Sequence, residues 1–181
     1  MAKKFTVDIL SPSSIDKLKK ELTNYRNSLQ GKCRILVERL SAQGLTIAEA
    51  KVNESPLGSY ITLRVETNEI SSGAESSIIG VGFVKQTAGY EDFNILLAVE
   101  FGAGSIINKG NGNPYASQMG YGPTTFPGQK HAEEDYWHYW DEESESWKTT
   151  SGIKATMPMY NAFIGIKKII ATTAREVFGN E

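Results

Sequence analysis

Two histidines, His131 and His138, stand seven residues apart among Glu133, Glu134, Asp135 and Asp141, and this is the one stretch whose side chains suggest a metal-binding set. The spacing differs from the i, i+4 histidine pair that a zinc protease places on one helix face, and no cysteine pair accompanies it. A solvated acidic rim with incidental histidines is the plainer reading. Cys33 is the lone cysteine and falls on an apolar stripe, the position of an inert core thiol rather than a thiolate nucleophile. Serines are plentiful, yet no G-x-S-x-G nucleophile elbow is present. Gly102-Ala103-Gly104-Ser105 lacks the third glycine of a dinucleotide fingerprint, and no Gly-Lys-Ser/Thr phosphate loop occurs. The most informative acid is Glu100, which follows the apolar run Ile95–Val99. Its expected role is structural, capping backbone N–H groups of the following loop or bonding a neighbour. The chain is therefore expected to be non-enzymatic and to hold no cofactor or metal.

Trp137, Tyr139, Trp140 and Trp147 form an aromatic-rich segment that can stack on a sugar or a base. Packing beneath a loop, or anchoring between subunits, fits better, because Trp and Tyr are enriched at protein contacts. Charge is divided along the chain. Residues 1–51 hold ten Lys/Arg against five Asp/Glu, whereas Glu133–Glu145 holds seven acids and no base. Two solvated faces of opposite sign account for this; so do complementary faces that meet between subunits, or an acidic surface that repels DNA in a channel. With a net charge of −2 and no basic patch interleaved with aromatics, sequence-specific nucleic-acid binding is not expected.

These residues need elements to hold them. Ile15, Leu18, Leu22, Tyr25, Leu29, Cys33, Leu36 and Leu40 recur at spacings of three and four, which predicts a helix over 13–43. Ser11-Pro12, and Ser13 with Asp16 in a capping-box-like arrangement, signal its start, and Gly44 marks its end. Gly31 sits mid-helix, where it costs about 1 kcal/mol relative to Ala and suggests a bend or close packing. A short helical turn is expected near Thr46–Lys51. Tyr60–Thr67 alternates as a half-buried strand with Ile61, Leu63 and Val65 inward. Asn68–Ser76 reads as a polar loop. Ser77–Gln86 reads as a second strand with Ile79, Val81 and Phe83 inward, and with Gly80 and Gly82 on the other face accommodating a bulge, a bend or a close neighbour. Trp137–Trp140 and Ser146–Thr150 are arms of a hairpin with its turn in Asp141–Glu145. Pro158 opens a last helix over 158–178, with Ala162, Phe163, Ile166, Ile169, Ile170, Thr173 and Val177 as its buried stripe. The 181 residues suit a single domain without linkers: helix 13–43, sheet core 58–101, loop and hairpin insertion 102–152, helix 158–178. That order predicts an α+β fold, an antiparallel β-sheet packed against a long N-terminal helix and a C-terminal helix. Met1–Asp8 lacks the apolar stretch of about ten residues that a secretory signal carries. No apolar run approaches the ~20 residues of a membrane span. A cytoplasmic origin is expected.

From Leu97 to Gly128 the chain passes from a compact apolar segment into a Gly-, Asn-, Pro- and Tyr-rich loop holding seven of the 17 glycines. Ile106, Ile107, Tyr115, Met119, Tyr121 and Phe126 give that loop apolar anchors, so docking onto its own domain or a neighbouring subunit must order it. The string Ala98-Val99-Glu100-Phe101-Gly102-Ala103-Gly104, then Asn113-Pro114-Tyr115-Ala116, Gly120-Tyr121-Gly122-Pro123, Phe126-Pro127-Gly128 and Pro158-Met159, resembles the head–tail joining, or tail-completion, neck proteins of long-tailed bacteriophages (the lambdoid minor-tail-protein-Z-like family). In that family a VEFG step ends a short core element, and a Pro-Met or Pro-Phe pair opens the last helix. On this ground Phe93–Phe101 is expected to be a short helix, with a buried strand as the alternative. The stretch between Gly102 and Pro158 is longer here than in the family's shortest members.

The resemblance implies a structural virion protein at the head–tail interface, assembled in the host cytoplasm. It would form a homo-oligomeric ring, commonly six-fold, beside connector or stopper and tail-tube proteins. Glu100, Phe101, Gly102, Asn113, Pro114, Tyr115, Gly120, Tyr121, Gly122, Phe126, Trp137, Trp140, Trp147, Pro158 and Met159 are the expected interface and motif residues. Alternatives are a tail-terminator or minor capsid protein of the same particle and, from another class, a carbohydrate-binding module using the hairpin aromatics.

Overall fold

The computed structural model describes residues 4–6, 8, 11–71, 73–82, 84–85, 93–104, 112–121, 131, 133–141 and 144–179. The fold is α+β, with a long N-terminal helix, two-stranded antiparallel sheets and a C-terminal helix. Helix α1 spans Pro12–Asn53. Strands β1 (Ile61–Ile70) and β2 (Gly73–Gly82) form a long antiparallel hairpin, in register from Ile61 opposite Gly82 to Ile70 opposite Gly73. Short strands β3 (Val84–Lys85) and β4 (Phe93–Asn94) pair and lead into α2 (Ile95–Phe101). Strand β5 (Ala103–Gly104) pairs with β8 (Gly152–Ile153), and β6 (Trp137–Asp141) pairs with β7 (Ser146–Thr150). Helix α3 (Pro158–Phe178) closes the chain.

The start of α1 is the one that Ser11-Pro12 signals: the Ser11 hydroxyl accepts the Ser14 amide at 3.4 Å, and Pro12 occupies the first turn, where no N–H is needed. Gly44 does not end the helix, which absorbs the turn expected at Thr46–Lys51 into one continuous element. Gly44 is instead the place where α1 meets its neighbours. A Cβ there would lie 2.6 Å from Ile166 Cδ1 and 2.7 Å from Ile78 Cδ1. The absent side chain brings α1 against both α3 and the hairpin. Gly31 has no such reason, since a Cβ there meets nothing within 4 Å.

Within the segment expected to be a polar loop, Asn68–Ser76, residues Asn68–Ile70 and Gly73–Ser76 are paired strand. Ser76 Oγ lies 3.0 Å from Thr67 Oγ1 across the hairpin and donates to the buried Ser41 Oγ of α1 at 2.8 Å. The inward parity of β2 is also the reverse of that expected. Ser76, Ile78, Gly80 and Gly82 share the β1 face of Thr67, Val65, Leu63 and Ile61, whereas Val81 is exposed. Gly80 and Gly82 are bare because Leu96, on the first turn of α2, packs directly on them. A Cβ at Gly80 would lie 2.9 Å from Leu96 Cδ2, and one at Gly82 the same distance from the Leu96 amide nitrogen. Phe83 lies outside the described residues.

Helix α3 runs antiparallel along the second half of α1. Gly165 meets Ile47, Ile166 meets Gly44, and Arg39 pairs with Glu176 at 3.7 Å. Its inward face holds Ala162, Ile166, Ile169, Thr173 and Val177; Phe163 and Ile170, expected in that stripe, are exposed. The core is built from Leu40, Ala48 and Val52 of α1, Ile95, Ala98, Val99 and Phe101 of α2, and Ala162 of α3. None of the described residues of α1 before Leu40 is buried.

Candidate functional site

Helix α2 begins when the Asn94 side chain accepts the Leu97 amide at 3.1 Å, and ends at Gly102, whose φ of 90° favours a residue without Cβ. These two ends aim the last turn of α2, and with it Glu100, at the start of α3. Glu100 is only 7% exposed. Its Oε2 accepts the Met159 amide at 2.8 Å, and its Oε1 accepts the Tyr160 amide at 3.0 Å and Asn113 Nδ2 at 2.7 Å.

Helix α3 depends on this carboxylate. The residue before its first turn, Met157, adopts a left-handed conformation (φ 56°) and supplies no side-chain cap. A helix N-terminus leaves orphan amides and a partial positive charge, and both draw a carboxylate. Glu100 meets them from a helix 59 residues earlier in the chain. The approach is fixed further by Val99, whose carbonyl accepts the Thr156 and Met157 amides at 2.9 and 3.3 Å. Asn161 Nδ2 donates back to the Met157 carbonyl at 2.8 Å.

The loop joins at the same place. Asn113 Oδ1 accepts the Tyr115 amide at 2.9 Å while its Nδ2 serves Glu100, so one side chain folds the Asn113-Pro114-Tyr115-Ala116 turn and ties it to the core. A 3-10 turn, Ser117–Met119, ends at Gly120 in the left-handed region, and Tyr121 returns to stack on Phe101 with ring centroids 4.4 Å apart. Tyr115 meets Tyr160 edge to face at 6.0 Å. Burial pushes the Glu100 carboxyl above its ordinary value, more than the Met159, Tyr160 and Asn113 donors lower it. All three of these donors are fixed structural groups, which makes the site a latch joining α2, the loop and α3.

Ten of the expected motif residues thus gather around this latch: Glu100, Phe101, Gly102, Asn113, Pro114, Tyr115, Gly120, Tyr121, Pro158 and Met159. Gly122 and Phe126 lie outside the described residues. Tyr160, Asn161 and Thr156 were not singled out in the sequence; only their place around Pro158 signals them. Thr156 Oγ1 is buried and has no hydrogen-bond partner among the described residues.

Trp137, Trp140 and Trp147 belong to the β6–β7 hairpin. Trp140 and Trp147 are cross-strand partners on one face, edge to face at 5.7 Å, and are 50% and 70% exposed. Their planes cross at 74°, which is not the coplanar platform that a sugar ring stacks on along its length. Asp141 closes the hairpin by accepting from Lys148 and Ser144, and these bonds hold its carboxyl below the ordinary value. The histidines are engaged locally. His131 Nδ1 lies 2.9 Å from Glu134 Oε1 with its ring stacked on Trp137, and His138 Nδ1 lies 2.9 Å from Thr149 Oγ1. No group of three or more potential metal-ligating side chains occurs among the described residues. No helix among them is long and apolar enough to cross a membrane. An open depression between the end of α1 and β1 is lined by Glu49, Val52, Asn53, Ile61, Thr62 and Leu63, away from the latch. No protein-family model, curated protein or solved structure matches the chain.

Proposed function

We propose that this chain is a structural, non-enzymatic neck protein of a tailed bacteriophage, which completes the upper end of the tail and joins it to the head as part of a homo-oligomeric ring. One observation carries the reading. The Val99-Glu100-Phe101-Gly102 step, the Asn113-Pro114-Tyr115 turn and the Pro158-Met159 helix start, which together bear the resemblance to that family, are bonded through one carboxylate. Their residue types are demanded by a structural latch, so three separate motif pieces act as one physical unit.

The engaged state of Glu100 supports a scaffold role, because all three donors that converge on it are structural groups rather than a substrate. Exposed tryptophans on a hairpin and exposed leucines on α1 supply surfaces that a ring would cover. Its place would be the head–tail interface of the virion, beside connector or stopper and tail-tube proteins, after assembly in the host cytoplasm. Deleting the gene in the parent phage tests this. Full heads and finished tails that fail to attach are expected; normal virions would reject the reading.

A further inference from the structure

Helix α1 has no buried residue before Leu40 among the described residues. The turn between β1 and β2 reaches Cys33, which lies 3.5 Å from where a Gly73 Cβ would stand, and the last turn of α3 reaches Arg39. From Cys33 back to Pro12 the helix continues for about 30 Å at 1.5 Å per residue. Along this arm Phe5 meets Tyr25 edge to face at 5.9 Å. Leu22 and Leu29 on the same stripe remain 45% and 37% exposed. Helical spacing places Lys19 and Arg26 along one border of the stripe and Lys32 along the other. Between Pro12 and Cys33 there are five Lys/Arg and two acids.

The β6–β7 hairpin is the complement of this arm. It offers Trp140 and Trp147 on one face, and Glu133 and Asp135, both exposed, on the approach to β6. We propose that copies of this chain associate head to tail, the Trp140–Trp147 face of one copy seated on the Leu22–Leu29 stripe of the next copy's α1, with Glu133 and Asp135 facing Lys19 and Arg26. Charge complementarity selects a second copy as the occupant: exposed tryptophans with exposed acids just ahead of their strand, and a leucine stripe bordered by basic residues, stand on the same molecule. A contact between two different patches repeats from copy to copy and closes into a ring when its rotation permits. This names the partner surfaces of the ring proposed above and rests on that reading.

The test uses the full chain in sedimentation equilibrium. Trp147→Ser, or the pair Leu22→Ser and Leu29→Ser, is expected to weaken self-association about thirtyfold, the effect of losing a hot-spot side chain. The reversals Glu133→Lys with Asp135→Lys, or Lys19→Glu with Arg26→Glu, lie on exposed positions, and each pair is expected to weaken association about tenfold. A chain carrying all four reversals should recover it. Mixing the Trp147 variant with the leucine variant should stop at one-to-one pairs, since only one intact contact remains. A wild-type chain that stays monomeric at millimolar concentration overturns the pairing. Association lost with the leucines but unmoved by Trp147→Ser or the hairpin reversals also overturns it, and would place a second α1 on the stripe. These outcomes bear on the pairing alone, whereas the phage deletion bears on the neck reading alone.

Discussion

Replacing Glu100 probes the latch directly. Glu100→Ala leaves the Met159 and Tyr160 amides and Asn113 Nδ2 without their acceptor, in a place where the native side chain is 7% exposed. A buried donor left unmet costs about 1–3 kcal/mol, and water entering the vacated space recovers part of it, so the expected loss is about 3–5 kcal/mol. Glu100→Gln keeps the shape. Its oxygen, set where Oε1 stands, can still serve Asn113 and Tyr160, and its NH2 then confronts the Met159 amide. One charge-assisted bond is lost and one donor faces another, while the burial of a charge is relieved; the expected net loss is about 1–2 kcal/mol. For a chain of this size about 2–4 °C of melting temperature accompanies each kcal/mol, which puts the alanine variant about 10 °C below wild type. Urea unfolding followed by circular dichroism gives the free energies. Hydrogen exchange at the Met159 and Tyr160 amides reports the latch itself, and both should exchange faster in the alanine variant. A Glu100→Ala protein within about 0.5 kcal/mol of wild type, with unchanged exchange at those two amides, would refute the capping role.

Three further outcomes follow from single positions. Because the Glu100 carboxyl is raised in the fold, the native chain keeps that proton at pH values where the unfolded chain has released it. Its contribution to stability is greatest in acid and is lost as pH rises from the ordinary carboxylate value through the raised one. Urea midpoints across that window should fall with pH in wild type relative to Glu100→Gln, and parallel curves would contradict this. Gly31→Ala, at a helical site where a Cβ meets nothing, should raise stability by about 0.5–1 kcal/mol in urea unfolding. Thr156→Val swaps a buried hydroxyl that lacks a partner among the described residues for a methyl of the same shape; a gain of about 1 kcal/mol is expected, and a loss of that size would reveal a bond to that hydroxyl.

Periodicity located α1, α3 and the first strand because apolar residues line one side of each, and Pro12, Pro158 and Gly179 punctuate the helix ends; the short α2 was expected from the resemblance. It misread positions where glycine serves packing instead of termination. Gly44 carries α1 past its expected end because Ile166 and Ile78 fill the space of its side chain, and Gly80 and Gly82 turn the inward face of β2 toward Leu96. Alternating apolar residues at Ile79 and Val81 point the wrong way for the same reason. The strand ends within Asn68–Ser76 read as a loop because their pairing is made by backbone groups while their side chains are mostly polar and give no hydrophobic alternation. Glu100 was legible as a structural acid following an apolar run. Its partners were not, since Met159 and Tyr160 contribute backbone amides, and a main-chain donor leaves no trace in residue type.

The same carboxylate that starts α3 also fixes both ends of the chain between Phe101 and Pro158. Once those ends are held, closing the stretch costs an entropy that grows only with the logarithm of its length, about 0.6 kcal/mol for each doubling. Residues added or removed away from Asn113–Tyr121 and the β5–β8 pair, which themselves meet the junction, therefore leave α2 and α3 where they were. The geometry of the two helices is thereby set by one carboxylate and is insensitive to the length of chain between them, at small thermodynamic expense.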